Sequence, residues 1–290
     1  MQGQSLRVMI TGSNKGIGYG IIETALRHSQ EQGGPQYDLI MTTRDAKSGQ
    51  EAITKLQEQF PQAANIEVID LDISKPESIA QAVESLKKSG PLDALINNAG
   101  WAAKGADPTT DEVVRTTIGI NYFGTRNFTE AVLAAGLIRE NARIINVSSK
   151  AAIFKYNSKL EQSELEKLNN YKSTLSFEEF TSLSQSIYER LQVAAKDETN
   201  WSNLPSMYCC SKLFESIYTY YLGHQADIQI KNIQVYSCFP GEVKTDMNSK
   251  GSLTILEGAD RVYHLMLLKS EIDPSKQGEY FNDDKQVESL

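Results

Sequence analysis

Leu6-Arg7-Val8-Met9-Ile10-Thr11-Gly12-Ser13-Asn14-Lys15-Gly16-Ile17-Gly18 is the stretch on which the fold turns. Its first five residues form a short apolar run, Thr11 to Gly18 is glycine-rich, and Gly16 to Gln30 carries apolar residues at helical spacing. That order is strand, loop, helix. Glycines let the backbone turn sharply and approach a pyrophosphate, and the start of a helix offers unpaired N–H groups and partial positive charge to the same anion. A plain glycine-containing βα turn would look alike in isolation, so the placement of the motif directly after a strand carries the reading.

Outward from this stretch the pattern recurs. Tyr37 to Thr43 predicts a strand, Gly49 to Phe60 a helix, Ile66 to Leu71 a strand, Ser78 to Lys88 a helix and Leu92 to Asn97 a strand. Glu112 to Ala135 predicts one long helix, Arg143 to Val147 a buried strand, Met207 to Ala226 a helix, Ile233 to Cys238 a strand, and Gly278-Glu279-Tyr280-Phe281 a last edge strand. Such alternation implies parallel strands joined by right-handed crossovers, hence an α/β fold with a doubly wound parallel sheet and helices on both faces. The rhythm breaks between Ser149 and Met207, where two amphipathic segments, about 163–170 and 176–196, stand without a core strand. This stretch is short of apolar residues for a core of its own, so 150–206 reads as a helical insertion within a single domain spanning 1–290.

Charge and cysteine content narrow the function classes. The chain has 37 acidic and 29 basic residues, a net charge of −8, which disfavours a nucleic-acid surface but leaves room for a local basic pocket. Cys209, Cys210 and Cys238 are odd in number with two adjacent, so they assemble neither a disulfide framework nor a four-ligand zinc site; they read as reduced thiols, and no metal is expected. Met1 to Ile10 lacks a basic stretch followed by a long apolar run, and nothing later approaches the roughly 20 apolar residues of a membrane span. The expectation is a cytoplasmic protein without membrane or nucleic-acid partners.

Arg44 ends the second strand and Lys15 lies inside the glycine loop, so both can converge on an adenosine ribose. Cations there suit the 2′-phosphate of NADP, whereas an acid would bind the 2′-hydroxyl of NAD. Thr43 stands where that acid is sought, and Asp45 lies close by. In Tyr208-Cys209-Cys210-Ser211-Lys212 the phenol and the ammonium are four apart, on one helix face. A phenol with a reference pKa of about 10 is a poor acid at neutral pH, and a neighbouring ammonium favours its phenolate. Asn146-Val147-Ser148-Ser149 ends a buried strand at its carboxyl end, where ligand crevices of open α/β sheets lie, and Asn97-Asn98-Ala99-Gly100 ends another. Asn121 inside the predicted long helix is intrinsically unfavourable, which invites a local backbone explanation or a hydrogen-bond relay.

In order and context the glycine motif, Asn97 to Gly100, Asn121, Ser149, Tyr208 with Lys212, and Pro240-Gly241 with Val243 and Thr245 resemble the short-chain dehydrogenase/reductases across essentially the whole chain. Thr42-Thr43-Arg44-Asp45, Asn121-Tyr122-Phe123-Gly124-Thr125-Arg126, Lys244-Thr245-Asp246-Met247 and the long insertion look most like the monomeric NADPH-dependent carbonyl reductases. The resemblance implies a Rossmann-type sheet and a catalytic set of Asn121, Ser149, Tyr208 and Lys212 that reduces aldehydes, ketones or quinones, with Ser149 and Tyr208 on the substrate. It points to Ser149 rather than Ser148, gives Tyr208 the proton and assigns Asn121 to hold a water in the proton relay. It assigns NADP(H) to Gly12, Asn14, Lys15, Gly16, Ile17, Gly18, Arg44, Asp72, Ile73, Asn98, Ala99, Gly100, Tyr208, Lys212, Pro240, Gly241, Val243 and Thr245. Within that set Asp72 and Ile73 flank the adenine, Asn98 contacts the adjacent ribose and the loop from Pro240 clamps the nicotinamide carboxamide. A monomer is implied, because the insertion covers the surface through which many relatives pair.

Glu242 departs from the subgroup where a bulky aromatic is expected, and Lys150 is polar beside Ser149. Either both line the pocket and favour more polar or cationic substrates, or both face solvent. An alcohol dehydrogenase running oxidatively would share every catalytic residue. A non-catalytic NADP(H)-binding redox sensor would be expected to lose part of the catalytic set, and none is missing. Epimerases and dehydratases of the same fold resemble chains with a different glycine spacing and a larger C-terminal domain.

Overall fold

The structure is a computed structural model that describes residues 5–31, 34–61, 66–103, 108–153, 159–267, 276–282 and 287–288. β1 (Leu6–Ile10), α1 (Gly16–Gln30), β2 (Tyr37–Thr43), α2 (Ala46–Gln59), β3 (Ile66–Asp70), α3 (Pro76–Ser89) and β4 (Leu92–Asn97) form the first half. Then come α4 (Asp111–Ile118), α5 (Thr125–Ala134) and β5 (Ile138–Val147). The insertion supplies α6 (Gln162–Asn169), α7 (Tyr171–Thr174) and α8 (Phe177–Ala194), followed by α9 (Met207–Gly223), α10 (Ala226–Ile230), β6 (Gln234–Cys238), α11 (Ile255–Met266), β7 (Tyr280–Phe281) and β8 (Val287–Glu288).

The strand order is β3-β2-β1-β4-β5-β6-β7-β8, parallel from β3 to β7 with β8 antiparallel at the edge. This is the doubly wound sheet that the sequence predicts. Chain order reverses between β1 and β4, which opens the ligand crevice of such sheets outside their carboxyl ends. Both faces of the sheet are buried, as parallel strands require. Met9, Ile40, Leu95, Ile144 and Val235 face a cluster with α3, α4, α5, α8 and α9, while Val8, Ile10, Leu39, Ile96 and Ile145 face α1, α2 and α11.

Four predicted elements differ. The helix expected over 112–135 is interrupted by a π segment, Gly119–Gly124, between α4 and α5. A Cβ on Gly124 would lie 2.6 Å from the Ile73 carbonyl oxygen, so the segment is pressed against the loop after β3. β5 starts at Ile138 rather than Arg143, with a register shift against β4 between Leu92 and Ala94 and with Asn141 at φ 61°. The helix expected to end at Ala226 stops at Gly223, and the strand at Tyr280–Phe281 is covered by β8 instead of forming the edge.

In the insertion, Leu168, Tyr171, Phe180, Ile187 and Leu191 are buried in the same cluster as the sheet residues Leu95 and Ile144. α8 lies over α4 and the π segment, where Tyr122 bonds Ser184 at 3.0 Å and Phe123 packs on Tyr188. Arg190 of α8 holds the mostly buried Glu164 of α6 through both its carboxylate oxygens.

Candidate active site

All the sequence-predicted positions lie at or beyond the carboxyl ends of β1 to β6 or on the elements that cover them. Gly12 and Gly16 both take φ +60°, the left-handed region that glycine adopts without steric cost. Gly18 has no room for a side chain: a Cβ would sit 2.6 Å from Asn98 Nδ2 and 2.8 Å from Ser13 Cα. The turn is braced from both sides. Thr11 Oγ1 accepts the N–H groups of Asn98 and Ala99 at 2.9 Å, and Asn98 Nδ2 donates to the carbonyls of Thr11 and Gly12 at 2.9 and 3.1 Å. The Asn98 amide thus shapes the glycine turn. Lys15, the residue before α1, makes no side-chain cap, so the first N–H groups of the helix stay available to an anion. A cradle that a Cβ would fill, opening on an uncapped helix start, fits a dinucleotide pyrophosphate.

At the adenosine end Arg44 is exposed. Asp45 is drawn away from any ribose: its carboxylate caps α2, accepting the N–H groups of Lys47 and Ser48 at 3.1 and 3.3 Å. Lys15 reaches Asp246 at 2.8 Å, with both side chains largely exposed, and Asn14 Nδ2 bonds Ser48 Oγ at 3.0 Å. Burial works to raise the Asp72 carboxyl, but hydrogen bonds from the Ser74 hydroxyl and N–H, with the charges of Arg44 and Lys75, outweigh it and hold the group below the ordinary carboxylate range. The neighbouring Ile73 is buried.

On the other side of the crevice Gly241 takes φ +91°, and Arg261 of α11 donates to the Pro240 carbonyl at 2.7 Å. Val243 and Leu253 form an isolated bridge and Thr245 exchanges backbone bonds with Asn248, so the loop is self-braced. The Val243 side chain packs toward Gly258, and its N–H donates to the Gly241 carbonyl at 2.9 Å. A Cβ on Gly16 would lie 3.9 Å from Thr245 Cγ2, so this loop meets the glycine turn across the crevice.

The four candidate catalytic residues converge on the start of α9. Ser148 is buried and bonds Ser216 Oγ at 2.8 Å, whereas Ser149 is half-buried and its hydroxyl oxygen accepts only the Ala151 N–H, at 3.2 Å, among the described residues. Its own proton remains for another oxygen. The turn Lys150–Ala152, which Ser149 caps, packs on α9, where Tyr208 is half-buried. One turn on, the buried Lys212 Nζ donates to the Val147 carbonyl at 2.8 Å and to Glu215 Oε2 at 2.9 Å. Asn121 accepts the Trp101 N–H at 2.8 Å and donates to the Trp101 carbonyl and to Ser211 Oγ at 2.9 and 3.0 Å; Ser211 Oγ in turn donates to the Tyr208 carbonyl. Asn121 therefore ties the loop after β4 to the first turn of α9.

Burial disfavours the Lys212 ammonium, yet Glu215 and the Tyr208 phenol together hold it above the ordinary lysine range. Glu215 is the feature that the sequence reading missed. Burial pushes its carboxyl up to about 7 against the pull of Lys212. Its spacing of three from Lys212, on the same helix face, is the signal that could have found it. Lys150 and Glu242 are both exposed, and Glu242 accepts Asn248 Nδ2 at 3.0 Å. Cys209, Cys210 and Cys238 are free thiols.

A family model described as short chain dehydrogenase matches residues 7–160. The chain is 32% identical over 288 residues to carbonyl reductase (NADPH) 1 of Mus musculus, covering 97% of this chain and 96% of that protein. It is 32% identical over 266 residues to carbonyl reductase (NADPH) 3 of Rattus norvegicus, covering 90% of each. Among solved structures, salutaridine reductase from Papaver somniferum superposes with a TM-score of 0.77 at 27% identity, covering 96% of this chain and 99% of that one.

Proposed function

Because the chain belongs to the short-chain dehydrogenase family, we propose that it uses NADPH to reduce small carbonyl compounds, aldehydes, ketones or quinones, to alcohols, with Tyr208 delivering the proton. One observation carries this reading: the half-buried Tyr208 and Ser149 stand at the same strand edge, with the Lys212 ammonium buried behind them against the end of β5. When bound, NADPH supplies the hydride.

The chain's own groups do the rest. Gly12, Asn14, Lys15, Gly16, Ile17 and Gly18 form the pyrophosphate cradle, and Arg44 and Lys15 meet the 2′-phosphate, Lys15 by exchanging its exposed pair with Asp246. Asp72 and Ile73 flank the adenine. Asn98, Ala99 and Gly100 form the ribose wall, to which Asn98 contributes backbone, since its amide protons are engaged by Thr11 and Gly12. Pro240, Gly241, Val243 and Thr245 close over the nicotinamide end, and Lys212 steadies its ribose. Ser149 donates to the carbonyl oxygen as negative charge develops there, and Tyr208 transfers its proton to that oxygen. Asn121 keeps the start of α9 in place and lines the proton path behind it.

The molecule acts as one dinucleotide-binding unit and as a monomer, a reading supported by the core that the insertion shares with the sheet and by α8 lying over α4 and the π segment. Its site of action is the cytosol, in keeping with the free thiols and with the absence, among the described residues, of any helix long and apolar enough to cross a membrane.

The test is purified protein with NADPH and a panel of carbonyl compounds. NADPH oxidation should fall about 10²- to 10⁴-fold in Tyr208→Phe while NADPH binding is kept. Equal rates in the two proteins, or no turnover of any carbonyl by the native chain, would overturn the assignment.

A further inference from the structure

Lys212 and Glu215 form a sealed ion pair inside α9. Their side chains are 5% and 1% exposed, and Nζ lies 2.9 Å from Glu215 Oε2. With the Val147 carbonyl this engages two of the three ammonium protons and leaves one for the crevice. Glu215 Oε1 is buried and has no hydrogen-bond partner among the described residues, so no wider network among them holds the side chain there. A buried carboxylate in contact with the ammonium opposes the positive field that this ammonium projects onto a phenol one turn away.

We propose that Glu215 is a positioning residue for the reduction: it holds the Lys212 ammonium against the end of β5 and offsets its field at Tyr208, so that the phenol keeps its proton for delivery to substrate. This rests on the Tyr208/Lys212 reading above and adds a bias to it, since reduction needs the phenol and alcohol oxidation needs the phenolate.

The surroundings leave this pair to itself. From α9, Lys212 acts on Glu215, and Glu215 and Tyr208 act on Lys212. Arg126 and Glu130 of α5, with Tyr122 of the π segment, act on Tyr218 further along α9. Arg143 of β5 bonds the Leu265 carbonyl on the opposite face of the sheet, β6 presents the buried Ser237 hydroxyl, and Lys150 beside Ser149 is exposed. Burial places the Glu215 carboxyl near 7, so it is ionised through the alkaline range in which a phenol gives up its proton.

The experiment compares native protein, Glu215→Gln, Glu215→Asp and Tyr208→Phe across pH, in reduction with NADPH and a carbonyl compound and in oxidation with NADP⁺ and the matching alcohol. In Glu215→Gln the alkaline limb of reduction and the rising limb of oxidation should both move down by about one pH unit, the scale of one close charge. Glu215→Asp should keep both limbs near their native positions. Lowered rates with unmoved limbs in Glu215→Gln would make Glu215 a packing residue and overturn the proposal. Should Glu215→Gln not fold, infrared titration of the native protein decides, with the band assigned by its change in Glu215→Asp. A protonated-carboxyl band that vanishes below the alkaline limb supports the offset, and one that persists through that limb overturns it. Reduction that survives in Tyr208→Phe would instead defeat the underlying reading.

Discussion

Asp45 adjoins Arg44 at the end of β2, yet the two have different tasks. The Asp45 carboxylate accepts two backbone N–H groups at the start of α2, while Arg44 extends into solvent. Asp45→Ala should therefore cost about 1 kcal/mol of stability, read as a lower Tm, and leave the preference for NADPH over NADH unchanged. Arg44→Ala should do the reverse. A charge-assisted contact with the 2′-phosphate contributes about 1.5 to 3 kcal/mol, so KM for NADPH should rise about 10- to 100-fold with KM for NADH unaffected. A shift in cofactor preference in Asp45→Ala would show that its carboxylate reaches the ribose. The sequence placed both residues at the right strand end but left Asp45 ambiguous, because its hydrogen-bond partners depend on where α2 begins.

The π segment is the element whose form matters most to the site. It carries Asn121 between α4 and α5, held by the backbone of Trp101 on one side and by Ser211 on the other. Gly124→Ala places a methyl 2.6 Å from the Ile73 carbonyl oxygen, a backbone atom that cannot rotate aside. We expect a stability loss of about 1 to 3 kcal/mol. Turnover should fall more than carbonyl affinity does, as Asn121 shifts relative to Tyr208; kcat and KM measured together check this, and native kinetics in a folded Gly124→Ala protein would remove Asn121 from the catalytic set. From the chain alone Glu112 to Ala135 predicts one uninterrupted helix, because the apolar spacing is nearly the same on either side of a single wide turn. The widening answers contacts with Ile73 and Trp101, which lie far away in sequence.

At the scale of the whole molecule, the insertion and the sheet share one apolar cluster. Phe180 of α8 is fully buried and packs against Tyr122, Phe214 and Tyr221. Phe180→Ala should cost about 3 to 5 kcal/mol, and the loss should lower a single cooperative unfolding transition. Two separated transitions in calorimetry would show that 150–206 folds as its own unit. The βα alternation, the glycine turn after β1 and the four-residue step from Tyr208 to Lys212 were determined by the sequence alone. Strand and helix periods and glycine conformations are local properties that a linear chain already displays. Other decisions waited for the tertiary structure: that Asn98 braces the glycine turn, that Asn121 joins Trp101 to α9, and that Glu215 lies sealed against Lys212. The first two depend on which distant groups the packed sheet brings within about 3 Å; the third, a contact between helix neighbours, depends on how much water that packing excludes, and hydrophobic periodicity records neither.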